Sequence, residues 1–380
     1  MNEFSRREGR QKGNPLKRLL AIRGMGQVIS VTIGLVALCI VFQILSSNFF
    51  SPDNLGNLLR QIAPYLIIGI AQSFVLITGN IDLSIGSIMG MSSMMAATMM
   101  TKGVHPAWAI LITFMSCVFV GVVNGQLVAA CKLPPFIATL GTMTIARGIA
   151  QIVNNNHNTD TISIGIGKET TEAFKNFFYY GKIFTLGGHQ ESNGSVIGGF
   201  SIYSPVIIAI ALWIVFNFML SKTRTGRHIY ATGSNMDAAR LSGVNVTGTI
   251  TAAYVVSAIC SCIAGLIVCA TTGMGAMDTG NSYELYAVAA SVIGGVSTLG
   301  GQGILLGTVI GAAVWSVLQN GLQFAGAPVA IRNIVIGVIV VLSVLLDVVI
   351  RSGSRRKAKD MGASALLGWI SRKSSEKAAP

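Results

Sequence analysis

The stretch QIAPYLIIGIAQSFVLITGNIDLSIGSIMGMSSMMAATMM, Gln61 to Met100, holds two long apolar runs. They are parted by a short segment in which Gly79 and Gly86 flank Asn80, Asp82 and Ser84. About 20 mostly apolar residues cross the roughly 30 Å hydrocarbon layer of a bilayer. The two runs therefore read as membrane spans, at 61–79 and 84–100. Backbone that leaves the helix at membrane depth is tolerated only where protein or a water-filled cavity satisfies its polar groups. The segment between the runs must then be built into the interior of a larger bundle.

The same criterion applied along the chain gives ten spans: 27–46, 61–79, 84–100, 106–130, 136–154, 205–221, 250–272, 285–299, 303–324 and 331–350. Composition agrees, with 52% hydrophobic and 11% charged residues, 44 glycines and a mean hydropathy of +0.65. The fold class is an all-α membrane protein. A net charge of +13 in a soluble chain would suggest nucleic acid, but seven basic residues lie in 1–23, four in 222–240 and eight from Arg351 to Lys377. Clusters outside the spans are the product of the positive-inside rule, so nucleic acid is excluded as a partner. With a cytoplasmic N-terminus, six crossings return the chain inside at residue 222 and ten return it at 351, both on basic segments. The expected organisation is a basic cytoplasmic tail at 1–25, a transmembrane domain over 26–350 and a second basic cytoplasmic tail at 351–380. Residues 155–204 form an extracytoplasmic loop, either a surface for something outside or a merely solvated connector, and 222–248 a cytoplasmic one.

A second Gly-rich break, IGGVSTLGGQG, runs from Ile293 to Gly303. It offers a faint internal repeat with the first, Gly79 against Gly295 and Leu83 against Leu299. Gly121 to Gly125 and Gly307 to Gly311 have the spacing that lets helices approach closely. The six cysteines lie in or at the ends of apolar runs with no zinc-type spacing and read as packing residues.

Ionisable groups in or near spans mark functional positions. Asp82 can orient the broken helix by accepting backbone N–H groups, or can pair with Arg147; Glu284 precedes the eighth span, and Asp347 stands four residues before Arg351, a helical ion-pair spacing. The four histidines are not at metal spacing, and no nucleophile elbow or phosphate-cradling loop is present. That pattern argues against a membrane enzyme.

The polar stretch GSNMDAARLSGVNV, Gly233 to Val246, sits between two apolar runs. Ser234 followed by Asp237 resembles a capping box and Gly243 supplies a stop. A helix of about eight residues is too short to persist alone, so it must dock, either in a groove of a cytoplasmic partner, on the side where the basic loop places it, or on the cytoplasmic face of its own protein.

Four stretches resemble the transmembrane permease subunit of bacterial sugar ABC importers, the branch with ribose, galactose and autoinducer-2 permeases. They are ITGNIDLSIGS, NGQLVAACKLPPFIATLGTMTIARG, TRTGRHIYATGSNMDAARLSGVNV and YELYAVAASVIGGVSTLGGQG, spread over roughly residues 48–350. Asn80 stands where many relatives have a second glycine, and the 155–204 loop is long. The resemblance implies a bacterial inner-membrane, multi-pass subunit with a second permease chain, cytoplasmic ATPase subunits and an extracytoplasmic sugar-binding protein. It implies no cofactor on this chain, ATP and Mg being held by the ATPase. The family's coupling helix carries over to Asp237, Ala238, Ala239 and Gly243, and the coupling segment is read as Ser234, Asn235, Met236, Asp237, Ala238, Ala239, Arg240, Leu241 and Gly243. Because uncharged sugars need hydroxyl and amide partners, the solute path is expected among Asn80, Asp82, Ser84, Asn124, Thr139, Thr142 and Thr144, with Phe136 as an apolar gate. The competing expectation is an ion-coupled secondary transporter that uses Asp82 and Arg147 and needs no docking helix.

Overall fold

The computed structural model describes residues 25–162, 168–187, 189–190, 196–197, 199–332, 334–335, 337–339, 341–342 and 344–345. Both basic tails, Asp347 with Arg351, and parts of the 155–204 loop lie outside the described residues. The helices are α1 (Met25–Leu45), α2 (Pro52–Ile77), α3 (Ile85–Thr101), α4 (Pro106–Ala129), α5 (Pro135–Val153), α6 (Lys168–Lys175), α7 (Ser204–Lys222), α8 (Arg224–Ser234), α9 (Met236–Leu241), α10 (Val246–Thr272), α11 (Tyr283–Ile293) and α12 (Leu305–Phe324). An apolar helix α13 (Val329–Ile339) follows.

Local chemistry sets these boundaries. Pro52, Pro106, Pro135 and Pro205 stand in the first turns of α2, α4, α5 and α7, where a missing N–H costs nothing. Side chains of Ser51, Thr223 and Asn245 accept N–H groups of the turns they open. Seven helices are long and apolar enough to cross a bilayer, namely α2, α4, α5, α7, α10, α12 and Gly26–Leu45 of α1. The other three expected spans fall on α3, α11 and α13, which are shorter. Each of the ten apolar segments thus coincides with a helix over at least part of its described length; the eighth is helical only to Ile293, and α2 begins nine residues earlier than its expected start.

Burial follows position in the bundle. α2 and α10 are the innermost long helices, and α3 runs beside α10 with nearly every side chain inside. Gly121 and Gly125 of α4 have no room for a β-carbon against Ala258 and Thr251 of α10, and Gly307 and Gly311 of α12 are equally close to Gly294 and Ala290. Both small-residue pairs thus do the close-packing work expected of them. Ser73 of α2, Ser291 of α11 and Thr308 of α12 meet through hydroxyl contacts of 3.2 and 2.8 Å, the polar glue of helices that lack a hydrophobic drive to associate in lipid. The outer helices carry exposed apolar side chains, among them Ile44, Phe119, Ile152 and Phe218, a surface suited to hydrocarbon. Of the cysteines, Cys117, Cys260, Cys262 and Cys269 are buried and all six are free thiols.

The described parts of the long loop form a cap at one end of the bundle. α6 leads into a π turn (Asn176–Tyr180), then β1 (Lys182–Leu186) pairs antiparallel with β4 (Phe200–Tyr203), with the two-residue strands β2 (His189–Gln190) and β3 (Val196–Ile197) between them. Arg60 of α2 lies between the rings of Tyr179 and Tyr203, 4.5 and 4.4 Å from their centroids. A β-carbon on Gly56 would press on the Ser201 carbonyl at 2.9 Å. The loop is therefore fastened to α2.

Candidate functional site

The first break runs from Thr78 to Ser84, and its polar side chains turn inward. Asp82 is 1% exposed. Its Oδ1 accepts the N–H and the hydroxyl of Ser84 at 2.8 and 2.6 Å, and its Oδ2 accepts the hydroxyl of Ser257 of α10 at 2.7 Å. Asn124 of α4 donates to Ser84 Oγ at 2.8 Å, and Thr142 of α5 donates to Asn124 Oδ1 at 2.6 Å. Tyr254 of α10 donates to the Ile81 carbonyl at 2.9 Å. One continuous chain of hydrogen bonds thus joins α5, α4, the break and α10. It satisfies backbone that would otherwise be orphaned in an apolar interior.

Of the roles left open for Asp82, the hydrogen bonds show that of the acceptor that orients the break. The Asp82–Arg147 pair is not formed. Arg147 points elsewhere and donates to the carbonyls of Met277 and Thr279 at 3.3 and 2.7 Å, since α5 carries it to a different, turn-rich segment.

That segment, residues 273–282 between α10 and α11, is a break the sequence reading missed. Gly280 has no room beside Gly86, and Gly90 is closed by the Thr279 carbonyl. Glu284, in the first turn of α11, lies against Gly86 at the start of α3. The signal was present in Gly273, Gly275 and Gly280, but a polar Gly-rich run beside a span end reads equally well as a surface loop.

The second break, expected at 293–303 and found at 294–304, meets the first directly. The N–H of Gly301 donates to the Ile77 carbonyl at 2.8 Å, and a β-carbon on Gly300 would lie 2.8 Å from the Gly79 Cα. Gly295 instead faces Gln27 of α1. The two breaks thus pack on each other, with Gly79 at the contact and Gly295 outside it.

Gly233, at the end of α8, closes the same point. A β-carbon there would overlap the Ile77 carbonyl and lie 2.7 Å from Gly301 N. Tyr230 of α8 adds a hydrogen bond to the Gly303 carbonyl at 2.6 Å. The polar loop between α7 and α10 is thus two helices, where the sequence suggested one, and its stem α8 rests on both breaks.

The short helix α9 projects from that stem. Its N-cap is Asn235, whose Oδ1 accepts the Ala238 N–H at 2.9 Å. The expected cap, Ser234, is instead the last residue of α8, because Asn235 is the first residue with extended backbone, φ −160° and ψ 106°. Gly243 is the stop, with φ +82° and its N–H on the Arg240 carbonyl. Ala239 is buried against Val75, Val246 and Ile250, so it anchors α9 to its own bundle. Met236, Asp237, Ala238, Arg240 and Leu241 face outward, and Leu241 is 90% exposed.

The expected path residues divide. Asp82, Ser84, Asn124 and Thr142 are brought together, and each is occupied by the others. Asn80 lies apart, lining a cavity of about 300 Å³ with Lys132, Leu133, Pro135, Met236 and Asp237 under α9. Thr139 is buried and bonded to the Pro135 carbonyl, whereas Thr144 and Phe136 are on the exposed face of α5. They do not share a chamber with the others in this structure. Ser257, Tyr254 and Gly233 were missed, since a lone hydroxyl or glycine in a helix gives no sign of a partner far along the chain. Among the described residues no group of three or more His, Cys, Asp or Glu is placed to hold a metal ion.

A many-helix apolar bundle with internal breaks, a buried polar relay and an outlying helix is the make-up of a polytopic transport protein. Residues 54–344 match the family described as branched-chain amino acid transport system / permease component. The chain is 34% identical to the ribose import permease protein of Bacillus subtilis (strain 168), over 85% of this chain and 94% of the relative. It is 33% identical to the ribose import permease protein of Escherichia coli (strain K12), over 83% and 92%, and 32% identical to the xylose transport system permease protein of the same strain, over 88% and 98%. No solved structure matches it. The chain belongs to this family of transport-system permease components, and as such is a transport subunit and not an enzyme.

Proposed function

We propose that this chain is the membrane-spanning subunit of an ATP-driven importer in a bacterial inner membrane. It passes a monosaccharide from an extracytoplasmic binding protein to the cytoplasm by alternating access. The sugar class is supported by the ribose and xylose permeases to which the chain is similar over most of its length. The observation that carries the mechanism is the seat of α8: an exposed helix, α9, stands on a stem wedged against both broken segments at Gly233, Ile77 and Gly301. Movement of α9 is therefore transmitted to backbone inside the bundle, where no regular helix resists it.

In this reading α9 fits a cleft in a cytoplasmic ATPase subunit, which holds the ATP and Mg, and this chain holds no cofactor. Both termini and the α8–α9 face are cytoplasmic, the 168–203 cap is extracytoplasmic, and two permease chains, the same or related, enclose the path. Asp82, Ser84, Asn124 and Thr142 shape the wall of that path, and Asn80 lies near its inner end.

The test is uptake in vesicles that hold the chain with its ATPase and binding proteins. Accumulation of labelled D-ribose or D-xylose should need ATP and the binding protein and should survive collapse of ion gradients. Uptake without the ATPase, or uptake lost with the gradients while ATP is present, would overturn the reading in favour of a secondary transporter.

A further inference from the structure

At the end of the bundle that carries the 168–203 cap, a cavity of about 390 Å³ opens between the start of α2 and the end of α12. Its size is that of small-molecule sites in general. Asn54 and Asn320 form its floor, both buried, each amide donating to the other at 3.1 Å. Asp53, Gln61 and Gln323 complete the wall, and among the described residues their side chains take no hydrogen-bond partner. Arg60 also borders it; its guanidinium lies against the Tyr179 and Tyr203 rings and its Nη2 donates to Asn57 Oδ1 at 2.7 Å, while its Nε is buried without a partner among the described residues. The partly exposed ring of Phe324 supplies an apolar face.

This chemistry selects a class of occupant. One carboxylate and one guanidinium leave no net charge to attract an anion or a cation. The unused groups are two amides, a carboxylate and the Arg60 Nε–H, which together donate and accept in a small space. A polyol is the solute in which every hydroxyl does both, and the C–H face of its ring can lie on an aromatic one. We propose that this cavity is a low-affinity site for a neutral monosaccharide, at which the solute is held on the extracytoplasmic side of the permease itself. The inference rests on the reading of the chain as a sugar permease and adds a site distant from the Asp82 relay.

The experiment measures binding of ¹⁴C-labelled D-ribose and D-xylose to the full chain with its ATPase subunits in lipid nanodiscs, without the binding protein. Saturable binding is expected, weakened about threefold or more by Gln323→Ala and by Asp53→Asn, two substitutions of exposed side chains. Co-purification of the ATPase verifies that both variants fold. Absence of saturable binding of either pentose overturns the proposal, as does equal binding by both variants and the unaltered chain. Binding that is displaced when phosphatidylcholine in the disc is replaced by phosphatidylethanolamine also overturns it, by assigning the cavity to a lipid headgroup. Either failure leaves ATP-dependent vesicle uptake untouched, so it is distinguishable from failure of the permease reading itself.

Discussion

The N–H of Gly301 and the carbonyl of Ile77, 224 positions apart in the chain, are hydrogen-bonded at 2.8 Å, and Gly233 covers that bond with a bare Cα. Three segments that share no local sequence signal meet there at backbone distance. The contact gives the outlying helix its grip on the bundle interior.

Gly233→Ala should therefore be costly. The added methyl overlaps the Ile77 carbonyl, a backbone atom that cannot swing aside, and overpacking of this kind costs about 1–3 kcal/mol. ATP-driven uptake should fall several-fold and the apparent melting temperature should drop. Gly148→Ala, where a β-carbon meets nothing within 4 Å, should change neither. Equal behaviour of the two variants in the vesicle assay would mean the joint transmits nothing.

The relay centred on Asp82 predicts an order of severity. Asp82→Ala strands the N–H and hydroxyl of Ser84 and the hydroxyl of Ser257, and each buried group left unsatisfied costs about 1–3 kcal/mol. Asp82→Asn keeps one acceptor oxygen, and the Ser257 hydroxyl can rotate to accept from the new amide. Thermal unfolding in detergent should rank wild type above Asn and Asn above Ala. A reversal of Asn and Ala would deny the carboxylate its orienting role.

Two positions in α9 should separate docking from folding. Leu241 is almost wholly exposed, so Leu241→Asp should leave the melting temperature unchanged while abolishing solute-stimulated ATP hydrolysis. Ala239→Glu places a carboxylate among Val75, Val246 and Ile250 and should lower the melting temperature before any effect on coupling can be read. If Leu241→Asp supports wild-type ATP hydrolysis, the exposed face of α9 is not the docking surface.

The cap over 168–203 should loosen when Arg60 is changed. A cation over an aromatic ring contributes roughly 0.5–2 kcal/mol, and Arg60 has two such rings. Trypsin cleavage after Lys182 should accelerate in Arg60→Ala. It should do so less in Arg60→Lys, since an ammonium keeps the charge but loses the planar stacking. An unchanged cleavage rate would show that the cap is held by its strand contacts to α2 alone.

Much of this molecule was legible before any coordinates. In hydrocarbon each span must satisfy its own backbone, so the length of an apolar run translates directly into a helix. That is why each of the seven long apolar helices coincides with an expected span. The stop at Gly243 was equally plain, because a glycine after a short polar helix answers a local steric need. The capping of α9 was misread by one residue, since a serine and an asparagine side chain can both accept N–H groups and only the backbone turn between α8 and α9 decides that Asn235 does.

What the sequence determined, then, was whatever depends on neighbours three or four positions away or on the solvent around a helix. The tertiary structure alone decided that Asp82 binds Ser257 and not Arg147, that residues 273–282 form a third break, and that Gly233, Ile77 and Gly301 coincide. Hydrogen bonds of irregular backbone in a dry interior are supplied by whichever other helix happens to lie alongside, and that adjacency is set by packing across the whole bundle, which no local spacing encodes.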